Sequence, residues 1–259
     1  MLPQLDTVLQ HHVRLFIKRW ADRGRALRQY MLRIGLAMLQ GARHEHIESL
    51  MHASMEVGIE IEIIELRKAI QIDSDISALI LPGGESTTMR KASQSESLLD
   101  GLFDWMDAHP TRPVLGTCAG AILLSNPGNE RQPYVSAQIS RNAWGRQRQS
   151  FEALLEVQLE TPESNSTDDF ELQRDNFNHK PLKISHEAAS SSQNFYPGVF
   201  IRAPRFLADS VKCTTVVTFE EEIVGILDGA KLALTFHPEL TLDRRFHRWL
   251  IVNAKNNFY

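Results

Sequence analysis

Apolar positions recur at two spacings from residue 31 onward, one typical of strands and one typical of helices. In the first half of the chain, short apolar runs predict strands over residues 32–39, 59–66, 78–81 and 113–115. Between them, apolar side chains at helical spacing predict helices over residues 42–57 and 98–106. Strands that alternate with helices predict an α/β fold, with a mostly parallel or mixed central sheet and helices on both faces.

The second half of the chain carries more strand pattern than helix pattern. Strands are predicted over residues 151–159, 214–219, 223–227 and 232–236, and a terminal helix is predicted over residues 243–253. Residues 161–193 are polar and irregular, which is typical of a long surface insertion rather than of core, and order is predicted to resume at residue 199. We therefore predict one domain over residues 31–259 that carries an insertion at about residues 161–193.

Residues 1–30 form a basic N-terminal extension. Its charged residues are Arg14, Lys18, Arg19, Arg23, Arg25 and Arg28 against Asp6 and Asp22. Apolar positions at helical spacing favour an amphipathic helix, which fits a surface or partner contact, a targeting sequence or an added solvated helix. A further interpretation is that translation starts at Met31. We favour the last two, because a secretory signal needs an uninterrupted apolar core that this segment lacks.

Composition is that of an ordinary soluble globular protein. The chain has 259 residues, of which 42% are hydrophobic and 23% charged, and its net charge is −4. This charge excludes a polycationic nucleic-acid binder, and no apolar run approaches the ~20 residues that span a bilayer. Two cysteines, Cys118 and Cys213, are too few for a disulfide framework and favour a reducing compartment. We therefore expect a cytoplasmic protein with no nucleic-acid or membrane partner.

The first candidate for chemistry is Gly116 to Gly120, which reads Gly-Thr-Cys-Ala-Gly after the strand predicted at residues 113–115. A helix pattern begins at Ala119, which predicts Cys118 on a tight strand-to-helix turn of the nucleophile-elbow type. Gly116 permits a close bend, and Gly120 permits the helix to pack closely on the strand. Unpaired N–H groups at the helix N-terminus favour a thiolate there. The alternative is that Cys118 is an inert, buried packing residue.

A glycine-rich loop follows the strand predicted at residues 78–81, from Pro82 to Thr88. Its two glycines free the backbone to direct N–H groups at a ligand. Ser86 or Thr87 is expected to cap the helix that follows. In open α/β sheets, ligands bind at the carboxyl ends of the strands, where this loop is predicted to lie.

A third segment supplies the base that a cysteine nucleophile needs. His237 and Glu239 follow the strand predicted over residues 232–236. The base holds the thiol proton, and a carboxylate fixes the tautomer of the base. Cys118, His237 and Glu239 therefore predict a catalytic site at the edge where the strands end.

These segments together resemble the class I, triad-type glutamine amidotransferases, and more closely the glutaminase subunit of pyridoxal phosphate synthase. The motifs that carry the closer resemblance are Leu39-Gln40-Gly41-Ala42, Glu45-His46, Pro82 to Arg90, Arg141-Asn142 and Phe200 to Pro204. Ile122 stands where most other triad glutaminases have glutamine, which favours the vitamin B6 branch. The resemblance extends from about Leu32 to the C-terminus, and the N-terminal extension and the insertion depart from the family pattern.

The resemblance implies a glutaminase that converts L-glutamine to L-glutamate and ammonia. Cys118 would attack the side-chain amide and form a thioester, His237 would protonate the leaving ammonia and activate water, and Glu239 would orient His237. The implied oxyanion hole consists of the backbone N–H groups of Gly84 and Ala119. The implied glutamine-binding residues are Gly84, Glu85, Ser86, Arg141, Ile201 and Arg202.

The family also implies a partner, a synthase subunit that takes the ammonia to build pyridoxal 5'-phosphate within a hetero-oligomer. No bound cofactor and no metal are expected in this chain. Two alternatives stay open: a non-catalytic docking or regulatory subunit with a glutaminase fold, and a cysteine hydrolase that acts on another amide. Arg141 and Arg202 are also compatible with surface ion pairs, and Glu85 with a cap of the following helix.

Overall fold

The computed structural model describes residues 31–128, 131–141, 150–164 and 194–258. The first half contains β1 (Leu32–Ala37), α1 (Arg43–Val57), β2 (Ile61–Leu66), β3 (Ile76–Leu81), α2 (Ser86–Ser93), α3 (Leu98–Ala108), β4 (Val114–Thr117) and α4 (Ala119–Ser125). The second half contains β5 (Ile139–Ser140), β6 (Ser150–Val157), β7 (Phe195–Ile201), β8 (Arg205–Phe206), β9 (Thr214–Phe219), β10 (Glu222–Asp228), β11 (Lys231–Leu234) and α5 (Arg245–Phe258). The predicted extension, and the predicted insertion from residue 165 onward, lie outside the described residues.

Nine of these strands form one sheet in the order β2-β1-β3-β4-β11-β10-β9-β6-β7, and β5 pairs with β8 separately. From β2 to β11 the neighbouring strands are parallel. From β11 to β7 they are antiparallel. The sheet is therefore mixed, with parallel and antiparallel halves, rather than mostly parallel. The predicted α/β class is confirmed in this mixed form.

Helices cover both faces of the parallel half, as the sequence predicts. Successive side chains of a strand point to opposite faces, and β3 is buried along its whole length. Ala78 and Ile80 join one apolar cluster with side chains of α1 and α5. Leu79 and Leu81 join a second cluster with side chains of α2, α3 and α4. This two-sided burial explains why β3 reads as a continuous apolar run rather than an alternating one.

Most differences from the predicted elements concern their ends. Strand β1 stops at Ala37 and β11 at Leu234, both two residues before the predicted ends. The residues that follow each strand therefore belong to a loop at the carboxyl edge of the parallel half. Helix α5 begins after Asp243, whose carboxylate accepts a hydrogen bond from the Arg245 N–H at 3.0 Å. Among the helices of the described residues, none is both long and apolar enough to cross a bilayer.

Candidate active site

The strand-to-helix turn between β4 and α4 carries Cys118 at φ 49° and ψ −104°. Residues other than glycine rarely adopt a positive φ, and they do so at an energetic cost. The Cys118 N–H donates to the Leu234 carbonyl of β11 at 2.8 Å, which holds the turn against the neighbouring strand. The predicted nucleophile elbow is therefore present at Cys118.

Close packing around the elbow depends on the absence of a Cβ atom at Gly120. A Cβ built there would lie 1.9 Å from the carbonyl oxygen of Leu81 on β3. One built at Gly116 would lie 2.9 Å from the carbonyl carbon of Gly120. Helix α4 thus packs on β4, as predicted, and also on β3, which the sequence analysis did not include.

His237 and Glu239 reach the elbow from the end of β11. His237 Nδ1 lies 2.8 Å from Glu239 Oε1, and the His237 N–H donates to the Val199 carbonyl of β7 at 2.9 Å. The exposed fractions of Cys118, His237 and Glu239 are only 5%, 6% and 4%. The structure therefore brings the three predicted residues together, with all three side chains almost fully buried.

The electrostatics of this site favour a charged imidazole beside the thiol. Burial by itself would lower the pKa of His237, but the charge of Glu239 and the hydrogen bond with Cys118 outweigh it and raise that pKa to about 10. Burial likewise opposes ionisation of Glu239, yet the facing imidazoles of His46 and His237 hold its pKa at about 2. A buried carboxylate that stays ionised can stabilise the imidazolium form of His237.

Two further histidines lie behind Glu239, and the sequence analysis gave neither of them a role. His46 Nε2 on α1 lies 3.4 Å from Glu239 Oε2 and 3.3 Å from Thr117 Oγ1. His46 Nδ1 lies 3.0 Å from Nε2 of His247 on α5. Both histidines are 0% exposed. His46 had one sequence signal, its place in the Glu45-His46 motif of the family resemblance, and His247 had none.

The glycine loop after β3 covers the thiol and the imidazole. A Cβ built at Gly83 would lie 2.5 Å from His237 Cε1 and 3.4 Å from Cys118 Cβ, so a larger residue does not fit there. Gly84 has φ 138°, and the next N–H, that of Glu85, donates to Gln40 Oε1 at 2.8 Å. The loop was predicted to face a ligand, but the close approach of Gly83 to His237 was not predicted.

Glu85, rather than Ser86 or Thr87, caps helix α2. Its carboxylate accepts hydrogen bonds from the Thr87 and Thr88 N–H groups at 2.9 and 2.7 Å. Hydrogen bonds from Thr88 and Thr87 lower the pKa of Glu85 to about 2. The predicted cap at Ser86 or Thr87 is therefore wrong, because both residues already lie within the helix. Ser86 is 2% exposed, and among the described residues its Oγ has no hydrogen-bond partner.

The remaining predicted binding residues approach the same loops from two directions. Arg141 Nη1 donates to Thr87 Oγ1 at 3.0 Å, which places the guanidinium beside the start of α2. The Ile201 carbonyl oxygen lies 4.0 Å from Cys118 Sγ. Arg202 follows Ile201 with an exposed side chain and φ 44°. Within the four described ranges, no cluster of three or more His, Cys, Asp or Glu side chains has a metal-binding arrangement.

The mixed α/β sheet is that of a class I glutamine amidotransferase, and the elbow cysteine and the His–Glu pair lie together as the sequence resemblance to that class predicts. A model of the SNO glutamine amidotransferase family matches residues 36–171 and 166–256, and the chain belongs to this family. The predicted family and fold are thereby confirmed.

Named relatives and a solved structure agree with this placement. The chain is 36% identical to the pyridoxal 5'-phosphate synthase subunit PdxT of Thermococcus onnurineus, over 86% of this chain and 100% of the relative. It is 34% identical to the subunit of the same name from Pyrococcus furiosus, over 85% of this chain and 98% of the relative. A crystal structure of a glutamine amidotransferase matches with a TM-score of 0.60 and 32% identity, over 85% of this chain and 98% of that one.

Proposed function

We propose that this protein hydrolyses L-glutamine to L-glutamate and ammonia, and that the ammonia passes to the synthase subunit of a pyridoxal 5'-phosphate synthase. One observation carries the proposal: His237 Nδ1 lies 2.8 Å from Oε1 of the buried Glu239, and the His237 imidazole lies beside the thiol of the elbow Cys118. Membership of a glutamine amidotransferase family supports the substrate. The names of the relatives support the partner and the product that the partner makes.

In the first half of the proposed reaction, Cys118 Sγ attacks the side-chain amide carbon of glutamine. Negative charge develops on the amide oxygen, and the backbone N–H groups of Gly84 and Ala119 are the proposed donors to it. One such donor is commonly worth ~3 kcal/mol of transition-state stabilisation. Protonated His237 gives its proton to the amide nitrogen, the C–N bond breaks, and ammonia leaves behind a thioester on Cys118.

In the second half, neutral His237 takes a proton from water while the water oxygen adds to the thioester carbon. The C–S bond then breaks, L-glutamate leaves, and the thiolate and the imidazolium are restored. Glu239 holds His237 Nδ1 throughout, so that Nε2 is the ring nitrogen available to the reacting atoms. Each proton that leaves the histidine is therefore replaced within one turnover.

The glutamine molecule is proposed to bind between the glycine loop and the end of β7. The proposed contacts are Gly84, Glu85, Ser86, Arg141, Ile201 and Arg202. The buried Ser86 hydroxyl, which has no partner among the described residues, and the Ile201 carbonyl, 4.0 Å from Cys118 Sγ, are polar atoms available to a ligand. The two arginines are suited to the substrate carboxylate, because a guanidinium can pair with it through two parallel hydrogen bonds.

The test compares glutamine hydrolysis by the wild type, Cys118→Ala and Cys213→Ala, each with and without purified synthase. Cys213 is a matched control, because it is also a free thiol but belongs to a different part of the fold. We expect Cys118→Ala to lose hydrolysis and Cys213→Ala to keep it, and a chloromethyl ketone analogue of glutamine to label Cys118 alone. Hydrolysis that survives Cys118→Ala would exclude the proposed nucleophile.

The same assay separates the two alternatives. A wild type that binds synthase but hydrolyses nothing would identify a docking or regulatory subunit. A wild type that hydrolyses asparagine or another amide faster than glutamine would identify a different cysteine hydrolase. We also propose the cytoplasm as its location, because Cys118 and Cys213 are both free, as a reducing compartment would keep them.

A further inference from the structure

The second oxygen of Glu239 faces an imidazole that the proposed reaction does not use. Oε1 contacts His237, whereas Oε2 lies 3.4 Å from His46 Nε2, with both side chains fully buried. This distance is slightly longer than a standard N–H···O bond, and Oε2 has no other partner among the described residues. A buried carboxylate oxygen needs a facing donor to offset its desolvation, and His46 occupies that position.

The tautomers of His46 and His247 follow from their contact. Burial, the largest influence on each, lowers the pKa of both histidines, so each is neutral near pH 7 and carries one N–H. Since His46 Nδ1 and His247 Nε2 are 3.0 Å apart, one of them donates and the other accepts. Donation from His46 would turn its bare Nε2 lone pair toward the negative Oε2 of Glu239. It would also leave an N–H on His247 Nδ1, which has no partner in the described part of the chain.

Donation from His247 removes both problems. His247 then gives its Nε2–H to His46 Nδ1, and His46 directs its own Nε2–H toward Glu239 Oε2 and Thr117 Oγ1. The atom left unpaired is an acceptor on His247, and buried unpaired acceptors are better tolerated than buried unpaired N–H groups. Thr117 directly precedes Cys118, so the same N–H also connects α1 to the elbow.

We infer that His46 is a positioning residue for the proposed glutaminase reaction, and that His247 sets the tautomer in which His46 holds the second oxygen of Glu239. The inference rests on the proposed function, since it assigns Glu239 to the orientation of His237. With one oxygen held from α1 and the other bound to His237, the carboxylate is fixed in the plane that the imidazole requires. The His237 ring then stays directed at the thiol of Cys118 during turnover.

Burial is the main reason that both histidines stay neutral, because Glu239 and Glu45 raise the pKa of His46 and Glu239 raises that of His247. His46 is faced by Glu239, His237 and Glu45, and His247 by His46, Glu239, Arg244 and Arg248. The two arginines oppose protonation of His247, and each also pairs with Glu56. His247 therefore acts on His46 by fixing which of its ring nitrogens carries the proton, and not by adding a charge.

The first experiment reads the tautomers in the unmodified protein. A long-range ¹H–¹⁵N spectrum of the full-length, ¹⁵N-labelled wild type distinguishes protonated from bare ring nitrogens. Assignment uses the loss of signals in His46→Gln and His247→Gln. We expect Nε2–H on both His46 and His247, with both Nδ1 atoms bare. An Nδ1–H on His46, or a doubly protonated ring at pH 7, would overturn the inference.

The second experiment compares His46→Leu, His46→Gln and the control His44→Leu, whose parent residue lies on the same helix but is exposed. We expect His46→Leu to lower kcat about 10-fold or more, with the KM for glutamine little changed. We expect it to move the acid limb of Cys118 alkylation by iodoacetamide to higher pH, because an unsupported carboxylate stabilises imidazolium less well. In His46→Gln the side-chain amide can supply an N–H, so kcat and the pH profile of alkylation should both lie close to those of the wild type. His44→Leu should change neither kcat nor the alkylation profile.

The outcomes separate this inference from the proposed function. A folded His46→Leu with unchanged kcat and alkylation profile refutes the inference, as does a loss that His46→Gln does not repair. Alkylation needs no glutamine, so it remains a readout if the wild type proves inactive on that substrate. A shifted alkylation limb in an enzyme that hydrolyses no glutamine would reject the proposed function and retain the positioning role.

Discussion

Replacement of Gly83 by alanine tests the position of the glycine loop over the triad. The added methyl would lie 2.5 Å from His237 Cε1. Carbon atoms pack at about 3.5–4.0 Å, so the imidazole or the loop has to move by roughly 1 Å. The Cys118 side chain, 3.4 Å from the same position, restricts movement of the methyl in the other direction. The His237 ring is therefore expected to move, which would distort its hydrogen bond with Glu239.

A misplacement of about 1 Å at a catalytic group can lower the rate about 100-fold, and we expect a loss of that size in kcat for Gly83→Ala. Glutaminase activity and thermal unfolding would be measured together. The matched control is Gly229→Ala, where φ is 54° and a Cβ meets nothing within 4 Å. That control should be destabilised by about 1 kcal/mol from backbone strain but keep its kcat. If a folded Gly83→Ala retained kcat within about threefold of the wild type, the contact between this loop and His237 would be refuted.

Three further predictions concern the triad, the buried histidines and the packing of α4. Glu239→Gln should lower kcat about a thousand-fold with little change in glutamine KM, because an amide cannot stabilise the His237 imidazolium; steady-state kinetics would show it, and unchanged kcat would contradict the role of the carboxylate. His247 has a lowered pKa in the folded state, so the unfolded state binds its proton first and stability is lost as pH falls below about 6.5. The free energy of unfolding from urea titrations at pH 7, 6 and 5 should therefore fall less steeply in His247→Gln, by up to about 1.4 kcal/mol per pH unit, and equal slopes would contradict the buried neutral imidazole. Gly120→Ala should destabilise the protein by about 3 kcal/mol or prevent folding, because its Cβ would lie 1.9 Å from the Leu81 carbonyl oxygen; a near-native urea midpoint would refute this packing.

The convergence of the triad was predictable because it depends on a simple property of parallel sheets. Cys118 follows β4 and His237 lies three residues after the end of β11, and these two strands are parallel neighbours. Two strand ends and the loops that follow them then suffice to bring the residues together. The sequence contained both signals, as apolar runs that stop at a glycine-rich turn and at a His-Pro-Glu segment.

The antiparallel half of the sheet was only partly predictable. Two residues separate β9 from β10, and Gly229 and Ala230 separate β10 from β11. Such short connections force antiparallel hairpins, and Gly229 supplies the positive φ that the first position of a two-residue hairpin loop requires. The sequence therefore held the information for these two pairings. The pairing of β6 with β7 joins segments far apart in the chain, and no local pattern specifies it.

The histidines behind Glu239 were not predictable from any local pattern. His46 and His247 are separated by 201 positions and belong to helices α1 and α5. Their contact exists because these two helices pack on the same face of the sheet, and each histidine there resembles an ordinary core residue in the sequence. Tertiary packing decides which buried polar groups form hydrogen bonds with one another, and local propensity and periodicity do not specify that packing.

The last part of the site depends on the sheet as a whole. Strand β7 stands at the far end of the sheet order from β2, yet its Val199 carbonyl accepts the His237 N–H at 2.9 Å. Two residues later, the Ile201 carbonyl lies 4.0 Å from Cys118 Sγ. The antiparallel half must therefore curve back over the carboxyl edge of the parallel half, as the twist of a large sheet permits. In the proposed reaction, the parallel strands thus supply the reacting groups and the antiparallel strands supply one side of the proposed glutamine site, so changes in β6 or β7 should alter glutamine binding more than the chemistry of the thiol.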